Sequence, residues 1–207
     1  PRVFRLYNKK SDTLTVVNRY GFNSEGVAVV VRRIRDTLLK HRIVTPLIYS
    51  IGANKDTVAG ADHPDYIARV AGDYVRVFRA LLPITRNNDS IKDGIQINIS
   101  SPNTPGLREL FKKLPEFLDC FCGQAQEFAR QRGRRSPPLI LKLPPDMEDK
   151  QFEFVIKEAA RCGFTAIEAF NTTTNPVVKK SFNINEEGGM SGEALWYYSW
   201  LKMQTVK

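Results

Sequence analysis

Histidine is scarce: His41 and His63 are the only two in 207 residues, and neither belongs to a strand-end motif. Both lie on or near expected helices and read as surface residues. Carboxylate pairs are missing from the strand ends as well, so the sequence offers no strong general base. Cysteine is limited to Cys120, Cys122 and Cys162, which form neither a set of pairs nor a CxxC. That excludes a disulfide framework and a cysteine metal site, and leaves reduced structural thiols in a reducing compartment. No run of about 18 apolar residues occurs, so no stretch reads as a membrane span. Pro1 to Leu6 is neither a signal nor a transit peptide, lacks an initiator Met and reads as the middle of a strand. The sequence is therefore expected to be a piece of a longer chain.

Positive charge is in excess. The formal net charge is +9, with Arg32, Arg33, Arg35, Arg130, Arg132, Arg134 and Arg135 supplying much of it. A basic surface attracts nucleic acid, anionic lipid or anionic substrates. Most of these arginines fall on expected helices or just after them, where a solvated face is the plainer reading and no nucleic-acid partner is expected.

The apolar patterning is that of an α/β domain. Residues 2–6 and 14–17 predict a hairpin about a polar turn, Asn8 to Asp12. A loop with two amides and a glycine (18–23) leads to a helix from about Glu25 to Lys40, with Asn23 or Ser24 as its cap. Strands are predicted near residues 47, 95, 139 and 166, and helices over about 64–82, 107–130, 149–162 and from 193 onward. The linker Pro83 to Asp93 is long for an α-to-β connection. Strands separated by helices imply a parallel sheet.

Each strand ends in polar residues: Asn54 and Lys55; Asn98, Ser101 and Asn103; Lys142; Asn171 and Thr172. Amides, hydroxyls and one lysine converging on one end of a parallel sheet make a ligand site. Paired amide donors and acceptors suit a planar polar heterocycle. The same Ser-Pro-Asn-Thr-Pro-Gly run (101–106) also suits a plain strand-to-helix turn. Lys142 within an apolar strand has two readings, a solvated position on an edge strand or a functional cation on an interior one. The βα spacing favours the interior strand, and there Lys142 would face a developing negative charge. Ser101 is the candidate for proton abstraction; a serine needs a preorganised network and an electron-withdrawing cofactor to act so. Gly188, Gly189 and Gly192 would let backbone approach a flat ring or a phosphate.

Five blocks carry a specific likeness: Asn-Arg-Tyr-Gly-Phe-Asn (18–23), Ile-Asn-Ile-Ser-Ser-Pro-Asn-Thr-Pro-Gly-Leu-Arg (97–108), Lys-Leu-Pro-Pro-Asp (142–146), Asn-Thr-Thr (171–173) and Gly-Gly-Met-Ser-Gly (188–192). In order and spacing the sequence resembles class 2, quinone-linked dihydroorotate dehydrogenase. The resemblance implies a (β/α)8 TIM barrel that binds FMN, oxidation of dihydroorotate to orotate in pyrimidine synthesis, and a quinone acceptor engaged by a region outside this chain. It implies Ser101 as the base, where class 1 relatives use a cysteine. It implies substrate contacts from Asn18, Arg19, Tyr20, Gly21, Phe22, Asn98, Asn103, Asn171 and Thr172. FMN contacts would fall to Ser50, Asn98, Lys142, Phe170 and Gly192.

Three positions depart from that pattern. Ser50 stands where the family usually has Asn, Ala53 where it has Lys, and Phe170 where it has Thr. A ring at 170 would either crowd the flavin or repack beside it. The likeness also implies one partial domain over 1–207, lacking the first barrel strand and the C-terminal phosphate-binding strands. Such a piece is expected to be poorly soluble or inactive alone. The implied location is the mitochondrial inner membrane in a eukaryote or the cytoplasmic membrane in a bacterium. The alternatives are another flavin-dependent pyrimidine oxidoreductase of the same superfamily and a non-catalytic remnant with a binding role.

Overall fold

Ile95 and Ile97 are fully buried on one face of a strand whose other face carries Gln96 and Asn98. That division organises the molecule. The computed structural model describes residues 3–9, 12–101 and 107–204. Four strands, β3 (Ile48–Ile51), β4 (Gly94–Asn98), β5 (Leu139–Leu143) and β6 (Ala166–Ala169), form one sheet in that order, every neighbouring pair parallel. The α/β class and the four βα units follow the sequence expectation; of a barrel, the described residues hold this open four-stranded sheet. A second, antiparallel sheet joins β1 (Val3–Asn8), β2 (Thr13–Asn18) and β7 (Gly189–Gly192) in the order β1-β2-β7.

Period-two alternation sends Tyr49, Ile51, Ile95, Ile97, Leu139, Leu141 and Leu143 to the helix-covered face, where all are buried. Helices α3 (Tyr66–Leu81) and α5 (Leu114–Gln131) pack there through an aromatic cluster, with Tyr74 and Phe117 rings 5.2 Å apart and Phe78 and Phe121 6.1 Å apart. Burying one such side chain is worth about 2–3 kcal/mol. The register places Ser50 beside Gln96, Asn98 beside Lys142 and Lys142 beside Glu168. These residues share the opposite face, so the polar positions gather without interrupting the core. Lys142 is on an interior strand, flanked by β4 and β6.

Several boundaries differ from the sequence reading. The helix expected over 107–130 is two, α4 (Leu107–Lys112) and α5. Pro115 lacks an N–H and its ring would strike the carbonyl of Phe111 in a continuous helix, so the chain restarts with proline in the first turn. Helix α1 (Val27–Lys40) begins two residues later than expected, after Gly26, and no side chain caps it. Short helices α2 (Lys55–Ala59) and α7 (Pro176–Ser181) were not expected, nor was β7. The long linker before β4 is ordered by its own bonds: Asp93 N–H donates to Arg86 O at 2.8 Å and Asn87 bridges Lys92. Helix α6 (Asp149–Arg161) packs against α5 and buries Phe152, Val155 and Ala159. The last helix, α8 (Glu193–Gln204), leaves Trp196, Tyr197, Trp200, Leu201 and Met203 exposed. Among the described residues no helix is long and apolar enough to cross a membrane.

Candidate functional site

Asn98 closes β4, and its two ends do different work. Its main-chain carbonyl accepts a hydrogen bond from the buried Tyr74 hydroxyl at 2.8 Å, which ties the strand tip to α3. Its side-chain Oδ1 accepts from Ser100 N at 3.2 Å, Ser100 Oγ at 3.1 Å and Asn171 Nδ2 at 3.4 Å. Asn171 Nδ2 also donates to Ser100 Oγ at 3.1 Å, and Asn171 Oδ1 accepts from Thr172 N at 2.8 Å. Two strand ends 73 positions apart are thus joined into one amide–hydroxyl cluster. The sequence marks Asn98, Asn171 and Thr172 for this place; Ser100, which links them, it does not.

Ser101 follows directly and is half-buried. With Ser100, Phe111, Asp146, Gln151 and Thr174 it lines a cavity of about 440 Å³. Asp146 is oriented there by the Thr173 hydroxyl and by Thr174 N–H at 3.1 Å. Among the described residues lining this cavity, Ser101 is the one the sequence singles out for chemistry. Asn103 lies outside the described residues.

The 18–23 loop reaches the same end of the sheet. Asn18 Oδ1 accepts from Tyr20 N at 3.2 Å, and Arg19 pairs with Glu187 at 3.2 Å while lying over the Phe4 ring. Tyr20, Gly21 and Phe22 are exposed. The Phe22 ring rests on Gly52 just past β3, so close that a Cβ on Gly52 would stand 2.6 Å from it. The base of the loop is fixed by β7, whose Gly189 pairs with Asn18. Gly188 has φ +113 and leaves only 2.3 Å between a built Cβ and Asn18 O; Gly192 has φ +88 and a Cβ there would lie 2.4 Å from Leu14 O. These glycines permit a close approach to β2.

Lys142 has a partner that the sequence does not announce. Its Nζ lies 2.6 Å from Glu168 Oε1 on the adjacent strand. The other Glu168 oxygen accepts from Gln96 Nε2, and Gln96 Oε1 accepts from the Ser50 hydroxyl. Ser50 and Lys142 are thus connected through Gln96 and Glu168 across four strands. The Phe170 ring sits 5.1 Å from the Phe152 ring of α6, against the main core. Cys122 and Cys162 are buried, and burial pushes the Cys122 thiol up to about 12.

Comparison with known proteins bears on this geometry. The family model described as Dihydroorotate dehydrogenase matches residues 1–204. "Dihydroorotate dehydrogenase (quinone)" of Methylococcus capsulatus is 34% identical over 202 residues, covering 96% of this chain and 52% of that protein. The protein of the same name from Roseiflexus castenholzii is 35% identical over 199 residues, covering 94% of this chain and 46% of that protein. Ligand-free DHODH from Eimeria tenella superposes with a TM-score of 0.71 at 27% identity, covering 98% of this chain and 56% of that one. The chain spans about half the length of the curated relatives it matches.

Proposed function

The chain belongs to the dihydroorotate dehydrogenase family, and from that premise we propose that its protein oxidises dihydroorotate to orotate in the synthesis of UMP, with FMN bound and a quinone as final acceptor. The observation that carries this reading is the Asn98–Ser100–Asn171 cluster beside Ser101. It offers amide donors and acceptors to a planar ring and puts a hydroxyl next to them. Dihydroorotate must lose a proton from C5 and a hydride from C6. In this reading Ser101 Oγ takes the proton, and Asn98, Asn171 and Thr172 hold the ring in place for that transfer. Asn103 and the loop from Asn18 through Phe22 complete the substrate side.

The chemistry of the donor set fits a flavin. Lys142 supplies an ammonium, Asn98 and Gln96 supply amides and Ser50 a hydroxyl, against the oxygen-rich rim of an isoalloxazine. Lys142, Ser50, Asn98 and the Gly192 segment are the residues proposed to hold it, with the Phe170 ring packed behind. When bound, the flavin supplies the hydride acceptor.

The open parallel sheet is read as part of a (β/α)8 barrel, with residues 1–207 as a partial FMN-binding domain. The coverage of just over half of the Eimeria tenella chain supports this. A quinone dissolves in lipid, so the full-length protein is proposed to associate with the mitochondrial inner membrane or the bacterial cytoplasmic membrane, according to its source. The test is a visible spectrum of the full-length protein before and after anaerobic addition of dihydroorotate. A flavin band that bleaches and recovers with quinone is the expected result; a protein that takes up no flavin, or whose flavin ignores dihydroorotate, sinks the reading.

A further inference from the structure

Glu168 accepts from Lys142 Nζ with one oxygen and from Gln96 Nε2 with the other. One carboxylate thus holds two nitrogen donors, one on each oxygen. None of the three is saturated by the bonds among the described residues. An ammonium has three N–H groups, a primary amide two, and a carboxylate about four lone-pair positions. Each donor gives one bond to Glu168, and each Glu168 oxygen receives one, so all three keep capacity for a further partner. Lys142 and Glu168 are reachable, with side chains 21% and 38% exposed, whereas Gln96 is buried.

A cyclic imide presents the complementary edge, with carbonyl, N–H and carbonyl in a row. The pyrimidine end of an isoalloxazine carries that edge at O2, N3–H and O4. We infer that Lys142 and Glu168 read the imide edge of a bound flavin, with Glu168 accepting the N3 hydrogen and the buried Gln96 holding the other Glu168 oxygen. This rests on the flavin reading above and adds to it Glu168 and Gln96, which sequence comparison alone does not put in the site. It also gives the anion a purpose. A carboxylate beside a cation meant to attract an electron-rich ring would otherwise weaken the attraction, whereas an N3–H donor needs an acceptor at that position.

The test is binding, not turnover. FMN and N3-methyl-FMN are titrated into the protein, and flavin fluorescence gives both dissociation constants. The wild type is expected to prefer FMN by about 10-fold or more, the effect of one hydrogen bond to a charged acceptor. In Glu168→Leu the ratio of the two constants should fall towards one. The ratio is the readout because removing Glu168 also frees Lys142, which alters both affinities together. The wild-type comparison needs no variant, so loss of folding in Glu168→Leu does not block it. Equal wild-type affinities overturn the inference while leaving the flavin reading intact. An unchanged preference in Glu168→Leu overturns it too, since the methyl group would then be clashing elsewhere. A wild type that binds neither flavin removes the flavin reading, and this inference with it.

Discussion

Arg86 and Asp93 close a loop on themselves at the amino end of the sheet. The Asp93 carboxylate is fully buried and accepts from Arg86 N, Nε and Nη2 at 2.9, 2.9 and 2.7 Å and from Leu47 N at 2.8 Å. The same guanidinium donates to Ile43 O and Thr45 O, so one ion pair holds the approaches to both β3 and β4. Removing one member of a buried pair leaves the other uncompensated, at a cost of about 3–5 kcal/mol. Asp93→Asn is expected to lose stability of that order in urea unfolding. Because the clamp lies at the end of the strands away from Asn98 and Ser101, flavin binding by the fraction that remains folded should not change.

The pH dependence of that pair follows from its surroundings. Burial alone would raise the Asp93 carboxyl, but Arg86 and the backbone donors of Leu47 and Arg86 outweigh it and hold it below the ordinary 3.8. A depressed carboxyl contributes its full stability above the unfolded value and loses it as pH falls through the folded one. The gap in Tm between wild type and Asp93→Asn should be flat from neutrality to about pH 5 and shrink below about pH 4. A gap that grows on acidification contradicts the assignment.

Ser101→Ala in the full-length enzyme should lower dihydroorotate oxidation by about 10²- to 10⁴-fold, the usual yield of a positioned base. Flavin absorbance and orotate binding should be retained. Ser101→Cys should restore part of the rate, with a profile rising through the thiol range near pH 8.5. Full activity in Ser101→Ala would leave the proton to another group, and Asp146 in the same cavity would be the first to examine.

Gly188→Ala should disturb substrate binding through the backbone of the 18–23 loop. A methyl group there would stand 2.3 Å from Asn18 O, on backbone at φ +113. Strain of about 1–3 kcal/mol is expected in a thermal melt, together with a raised KM for dihydroorotate as the base of the 18–23 loop shifts. An unchanged KM would mean that this loop does not hold substrate.

Tyr74→Phe tests the tie between core and site. It removes the bond to Asn98 O at 2.8 Å from a side chain that is fully buried. The expected loss is about 1 kcal/mol or slightly more, since a buried carbonyl is left without that donor. Weaker flavin binding should accompany it if the β4 tip relaxes.

Much of this architecture is legible in the sequence, for physical reasons. Ile95, Ile97 and Leu139 to Leu143 lie in apolar runs too short for helices, and local alternation shows which face they serve. Strand β7 hides because Gly189–Gly192 has little intrinsic strand preference; it exists through its pairing with β2, 170 or more positions earlier. The break before α5 hides because Leu110, Leu114, Phe117 and Phe121 keep helical spacing straight through it. Asn98, Asn171 and Lys142 announce themselves as polar residues at strand ends. Glu168 and Gln96 do not, because their meaning depends on register: only when β4, β5 and β6 are aligned does Glu168 fall next to Lys142.

The chain has two tryptophans, and both, Trp196 and Trp200, lie on the exposed face of α8. Intrinsic fluorescence of this protein is therefore a local gauge of its last helix. The aromatic cluster around Tyr74 and Phe121 holds the parallel sheet but contains no tryptophan, so it is silent at that wavelength. A fluorescence melt and a far-ultraviolet dichroism melt will coincide only if α8 leaves together with the sheet. Two separate midpoints would measure how independently the end of the chain comes away.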